Sequence, residues 1–121
     1  MDYSPDRWEV ARLYGFELVI APRANLVRSD RGMVYGIVAT STHDELSRLY
    51  DHARQVLGET YLPEAVLVET ADDKWKPALC YICPEMEPRP AEAAYVDRIL
   101  DAATRYGFPD WYRHRILEFK P

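Results

Sequence analysis

Three tyrosines stand where hydroxyls could serve a small polar ligand: Tyr61, Tyr81 and Tyr95. Tyr61 heads an apolar run, Tyr81 lies in the run that follows a turn, and Tyr95 falls early in a helical segment. Tyrosine joins apolar bulk to a hydroxyl that seeks a partner once buried, so three converging hydroxyls would line a polar-headed pocket. Spacing alone favours ordinary core and rim aromatics. Gly36, beside Tyr35 in the apolar run Met33 to Ala39, is a further candidate. A glycine inside a strand marks a bulge, or a place where something approaches the backbone closely.

Other chemistry is thinly represented. Cys80 and Cys83 form one CYIC. Zinc needs four ligands, and no second pair accompanies them. A redox pair of this spacing belongs at a helix amino terminus, whereas this one lies in an apparent strand, so both read as buried thiols. His43, His52 and His114 fall on helix surfaces without partner spacing and read as solvated. The sequence has no glycine-rich phosphate loop, no HExxH and no nucleophile elbow. No metal and no cofactor are expected.

The elements that must position these residues centre on Met33 to Tyr61. Met33–Ala39 reads as a strand. Thr42 and Glu45 have capping-box spacing, and Leu46, Leu49, Tyr50, Ala53, Val56 and Leu57 recur on one face of a helix that Gly58 ends. Upstream, residues 1–14 are poorly patterned, an irregular or short helical lead-in. Phe16–Ile20 and Ala24–Arg28 read as strands, with turn chemistry at Ser29–Gly32 before the strand of Met33. Downstream, Tyr61–Thr70 and Lys76–Cys83 read as a hairpin around Ala71–Asp73. A loop with Pro84, Pro88 and Pro90 follows. Pro90 to Tyr106 is a helix stopped by Gly107, its stripe made by Ala91, Ala94, Tyr95, Ile99, Ala102, Ala103 and Tyr106. Asp110 caps a last helix over Trp111–Phe119. Strands early and helices inserted late give an α+β class with a small, strongly bent or barrel-like sheet.

At 121 residues, with 48% apolar and 29% charged, residues 1–121 read as one globular domain able to bury about two thirds of its unfolded surface. The net charge of −5 argues against nucleic acid, although Arg12, Arg23, Arg28 and Arg31 suffice for a local basic patch. No apolar run approaches the roughly 18 residues that span a bilayer, and MDYSPDRWEV lacks the apolar core of a signal peptide. The expectation is a cytoplasmic protein with no membrane partner.

In order, the pieces resemble the gamma-glutamylcyclotransferase-like family. These are FELVIAPRANLVRSDRGMVYGIVA, the acidic-capped helix ending LSRLYDH, the strand from Tyr61 to Val68, the hairpin tyrosine Tyr81, the proline loop with its helix at Tyr95, and the closing Gly107 to Tyr112. The match runs over roughly residues 11 to 117, and order and spacing carry it. The resemblance implies a small mixed β-barrel with flanking helices. It also implies intramolecular aminolysis, in which a gamma-glutamyl amine attacks its own side-chain carbonyl to release 5-oxoproline.

That chemistry needs one general base and a set of backbone amides for the oxyanion, and the sequence departs from the family at both. The family's base is a glutamate four residues after the second leucine of the central helix; here that residue is Ala53. The first strand with its YGSN loop is absent from the sequence. Loss of a base costs about 10²- to 10⁴-fold, and loss of an oxyanion donor about 10²- to 10³-fold. The resemblance implies that Tyr61, Tyr81 and Tyr95 remain at the family's pocket positions, with Tyr35 and Gly36 as further candidates for ligand binding.

Three readings follow. The first is a catalytically degenerate member that binds a small gamma-glutamyl or amino-acid-like ligand, or serves structurally. The second is an active enzyme with a relocated base, for which Glu59 is the candidate and Asp51 is turned away. The third is a homodimer or partner-binding module using a sheet edge left open by the missing strand, unless Tyr3, Trp8 and Tyr14 fold over it. A carboxylate aimed into a hollow between the central helix and the sheet would speak for turnover.

Overall fold

The computed structural model describes residues 8–39, 42–52, 54 and 60–121. Four strands and three helices follow one another as β1 (Trp8–Ile20), β2 (Ala24–Ala39), α1 (His43–His52), β3 (Leu62–Thr70), β4 (Trp75–Ile82), α2 (Ala93–Arg105) and α3 (Asp110–Leu117). The sheet order is β2-β1-β3-β4, and every pairing among the described residues is antiparallel. The sheet bends until its two outer strands, β2 and β4, face each other without closing. The class is α+β, as the element order implies.

The described part of the lead-in, Trp8–Tyr14, is a strand, not a coil or helix. Trp8–Tyr14 pairs along its length with Met33–Ala39, and Phe16–Ile20 pairs with Ala24–Arg28. The two expected strands on either side of Ser29–Gly32 are therefore one strand, β2, laid along a single partner. Turn-forming residues mark the place where the ladder slips, opposite Gly15 at φ 87°. A positive φ of that size suits glycine at a bulge. The chain reverses instead at Ala21–Arg23, through a cis Ala21–Pro22 bond.

Packing also moves the role of the close-approach glycine. A Cβ on Gly32 would lie 2.6 Å from the Phe16 carbonyl carbon, so this position admits only hydrogen. A Cβ on Gly36 would meet nothing within 4 Å. Gly36 faces Ala11 across the ladder and opens onto empty space.

Strand alternation sends Ala11, Leu13, Val34 and Val68 to the concave side of the sheet, where they are buried. α2 contributes Val96 and Ala103, with Ile99 and Leu100 half-buried between them. That stripe, at i, i+3, i+4 and i+7, is centred on Val96 rather than on Tyr95, and Ala94 is exposed. α2 begins at Ala93, so Pro90 precedes it within the loop. Gly107, at φ 75°, follows its last turn. Pro109 holds the N-cap position of α3, and Asp110 is its first helical residue, paired with Arg113. No helix among the described residues is long and apolar enough to cross a membrane.

Candidate functional site

A hollow of about 1030 Å³ opens between the facing strands β2 and β4. β2 walls it with Val34 and with Gly36 to Ala39, and β4 with Lys76 to Tyr81. Ala11, Leu13, Val66 and Val68 make the floor, and α1 reaches it with Leu46. The capping box positions α1. The Glu45 amide donates to Thr42 Oγ1 at 3.1 Å, and the Thr42 amide donates to the Glu45 carboxylate at 3.3 Å. These contacts satisfy two of the amides that a helix start leaves without partners.

The wall is apolar except for a few groups. Glu9 is the one carboxylate among the described residues that line the hollow, and Lys76 Nζ donates to its oxygens at 2.9 and 3.2 Å. The pair sits at the rim, each side chain nearly half exposed. Arg12, also on the lining, is held by Glu69 at 3.0 Å. The Cys80 thiol is pushed up by burial and, further, by the Glu64 carboxylate, so it stays protonated and is no nucleophile at neutral pH. Neither Cys80 nor Cys83 is in a disulfide.

The sequence candidates distribute over three places. Gly36 and Tyr81 line the hollow. Tyr61 and Tyr95 converge, but on the backbone of Ala24: the Tyr61 hydroxyl donates to its carbonyl at 2.9 Å, and its amide donates to the Tyr95 hydroxyl at 2.8 Å. Tyr35 stacks with Phe108, Trp111 and Tyr112 at centroid separations of 5.7, 5.9 and 5.2 Å. Ala53 and Glu59 lie outside the described residues. His52 and His114 are exposed. Three of the four arginines have their own partners: Arg12 and Arg28 are ion-paired with Glu69 and Glu64, and the Arg23 guanidinium lies 5.3 Å from the Tyr95 ring centre. Among the described residues, no group of three His, Cys, Asp or Glu side chains is placed to hold a metal.

Two residues that close the site carry no motif. The Asn25 side chain donates to the Cys83 carbonyl at 2.7 Å and accepts from the Cys83 amide at 2.9 Å. This two-way bond copies a ladder pair and ties the start of β2 to the end of β4. The second is Glu9, whose partner Lys76 stands 67 residues away. Only the alternation of β1, once recognised as a strand, would have directed Glu9 to the concave face.

No protein-family model and no curated protein sequence matches the chain. Solved structures do. An uncharacterised protein from Homo sapiens superposes with a TM-score of 0.79 at 24% identity, over 93% of this chain and 73% of that one. A gamma-glutamyl cyclotransferase superposes with a TM-score of 0.77 at 24% identity, with the same coverage. An Arabidopsis thaliana protein, At5g39720.1, superposes with a TM-score of 0.57 at 23% identity, over 73% of this chain and 60% of that one. The bent antiparallel sheet with its three helices is the gamma-glutamylcyclotransferase-like fold.

Proposed function

We propose that this chain is a binding domain that keeps the cyclotransferase scaffold without its turnover. The hollow between β2 and β4 would hold a small amphipathic ligand of the amino-acid or gamma-glutamyl kind. Its apolar part would rest on the Ala11–Leu13–Val68 floor and its polar end at the rim, near Glu9, Lys76 and Tyr81. The observation that supports this reading is the composition of the wall: mostly apolar, with the single carboxylate among its described residues occupied by an ammonium. A general base must be able to take a proton from the reacting group, and Glu9 would first have to leave Lys76. Ala53, at the position of the family's glutamate, supplies no base.

The test has two arms. Incubation with gamma-glutamyl amino acids gives no 5-oxoproline above the uncatalysed rate, and a clear rate would overturn the reading. Calorimetric titration with the same compounds gives saturable binding, which Gly36→Leu abolishes by filling the hollow while leaving the fold intact.

A second reading draws on the facing of β2 and β4. Two outer strands across an apolar gap can take an extended peptide as a strand between them. Protection of β2 amides from hydrogen exchange by added peptide, rather than by a small ligand, would favour it.

A further inference from the structure

Glu9 and Lys76 meet in the hollow from β1 and β4, strands that are not neighbours in the sheet. In the ladder Glu9 faces Val38 and Lys76 faces Val68. Between those two rows runs the row of Ala11, which faces Gly36 on one side and Thr70 on the other. Alternation puts Glu9 on the concave side with Ala11 and Leu13, and Lys76 on it with Ala78 and Cys80. The ion pair, at 2.9 and 3.2 Å, therefore bridges across a row that starts with Gly36 and Ala11. A Cβ on Gly36 would meet nothing within 4 Å, so space remains beside the pair. Each charged side chain is nearly half exposed, and a pair so placed contributes little to stability, which makes it easy to open.

We propose, building on the binding reading above, that this pair recognises the zwitterionic head of a free α-amino acid with a large apolar side chain. The ligand ammonium donates to the Glu9 carboxylate, and the Lys76 ammonium donates to the ligand carboxylate. Two charge-assisted contacts thus replace those of the internal pair. Selectivity follows from the need to open that pair. A ligand with a carboxylate alone satisfies Lys76 but sets a second negative charge beside Glu9, and an amine alone sets a second positive charge beside Lys76. Only a head that carries both charges replaces both partners. The rest of the ligand meets the floor of Leu13, Val66 and Val68. An apolar side chain gains there by leaving water. A gamma-glutamyl amide laid on the same floor gives up its hydration against side chains that offer it no hydrogen bond. The hollow, about 1030 Å³, admits the bulkiest apolar side chains, so L-phenylalanine is the probe of choice.

Calorimetric titration of the whole chain tests this. L-phenylalanine should bind saturably. 3-Phenylpropionate and 2-phenylethylamine, each lacking one charge of its head, should bind at least about tenfold more weakly. Glu9→Gln and Lys76→Met should each weaken phenylalanine by a similar factor, with the thermal midpoint retained. Equal binding of the three compounds, or unchanged phenylalanine binding in both variants, overturns the proposal and leaves the hollow as a purely apolar site. Binding of gamma-glutamyl amino acids without phenylalanine overturns it too, with the binding reading intact. No binding by any of these compounds removes both. The two single-charge compounds are measured on the unaltered protein, so they decide the matter even where a variant fails to fold.

Discussion

Tyr61 and Tyr95, 34 positions apart, grip the same residue from opposite ends of its peptide units: one hydroxyl donates to the Ala24 carbonyl, the other accepts from the Ala24 amide. Ala24 is the first residue of β2, directly after the reversal at Ala21–Arg23, so the two phenols fix where that strand starts. Tyr95→Phe leaves a half-buried amide with no acceptor and should cost about 1–3 kcal/mol. Tyr61→Phe should cost less, about 0.5–1.5 kcal/mol, because it removes one donor from an oxygen with two lone pairs. Urea unfolding of the two variants and their double measures both costs and their coupling. The pair should be non-additive by at least ~0.5 kcal/mol, since both act on one residue.

How much of this could be read from the residues depends on how local each interaction is. The capping box of Thr42 and Glu45 forms as its spacing demands, because all its atoms lie within one turn. The β3–β4 hairpin, the helix stop at Gly107 and the α+β class were legible for the same reason. The first half of β1 was not, since its alternation sets Arg12 and Tyr14 among apolar neighbours and reads as unpatterned. Its strand character comes from β2, and its polar side from Glu69, which pairs with Arg12 and accepts from Tyr14 at 2.8 Å. The tyrosines are polar-headed and do seek partners, as their chemistry requires. Sequence could not say that the partner of two of them is a backbone unit rather than a ligand.

Asn25 closes one end of the bent sheet, and its loss should be felt there first. Replacing it with alanine removes the Asn25 acceptor from the amide of the buried Cys83, while the Cys83 carbonyl keeps the bond from the Met86 amide, and should cost about 1–3 kcal/mol. Asn25→Asp should be nearly as costly, because a carboxylate keeps the acceptor but cannot donate to the Cys83 carbonyl. Amide exchange at the end of β4 should accelerate in both variants before the centre of the sheet does. Equal acceleration across all four strands would mean the clamp is not local.

Gly32 and Gly36 stand four residues apart in one strand and should respond oppositely to the same methyl group. Gly32→Ala drives a Cβ into the Phe16 backbone, which cannot swing aside, and should destabilise by about 1–3 kcal/mol. Gly36→Ala meets open space and stiffens the unfolded chain, so it should be neutral or stabilising by about 0.4–1 kcal/mol. Thermal midpoints of the two variants against the parent decide this. A loss at Gly36 comparable to that at Gly32 would mean the hollow is not empty space in solution.

Alkaline pH should weaken the fold through Tyr112. Tyr112 is 4% exposed beneath Tyr35 and Phe108, and its hydroxyl has no hydrogen-bond partner among the described residues. Burial pushes its pKa up to about 12. Below pH 10 the phenol is protonated in both the folded and the unfolded chain, and the fold keeps its full stability. Above pH 10 the unfolded chain releases the proton while the folded one retains it. Stability should therefore fall as pH rises towards 12, at up to about 1.4 kcal/mol per pH unit from this group. Tyr14 shifts in the same direction through its bond to Glu69, so the contribution of Tyr112 must be isolated by difference. Tyr112→Phe removes a hydroxyl that satisfies no partner, so at pH 7 it should leave stability unchanged or raise it by about 1 kcal/mol. Between pH 10 and 12 the variant should lose less stability than the parent. Parallel unfolding curves for the two proteins across that range would show that Tyr112 is not shielded from water as its packing implies.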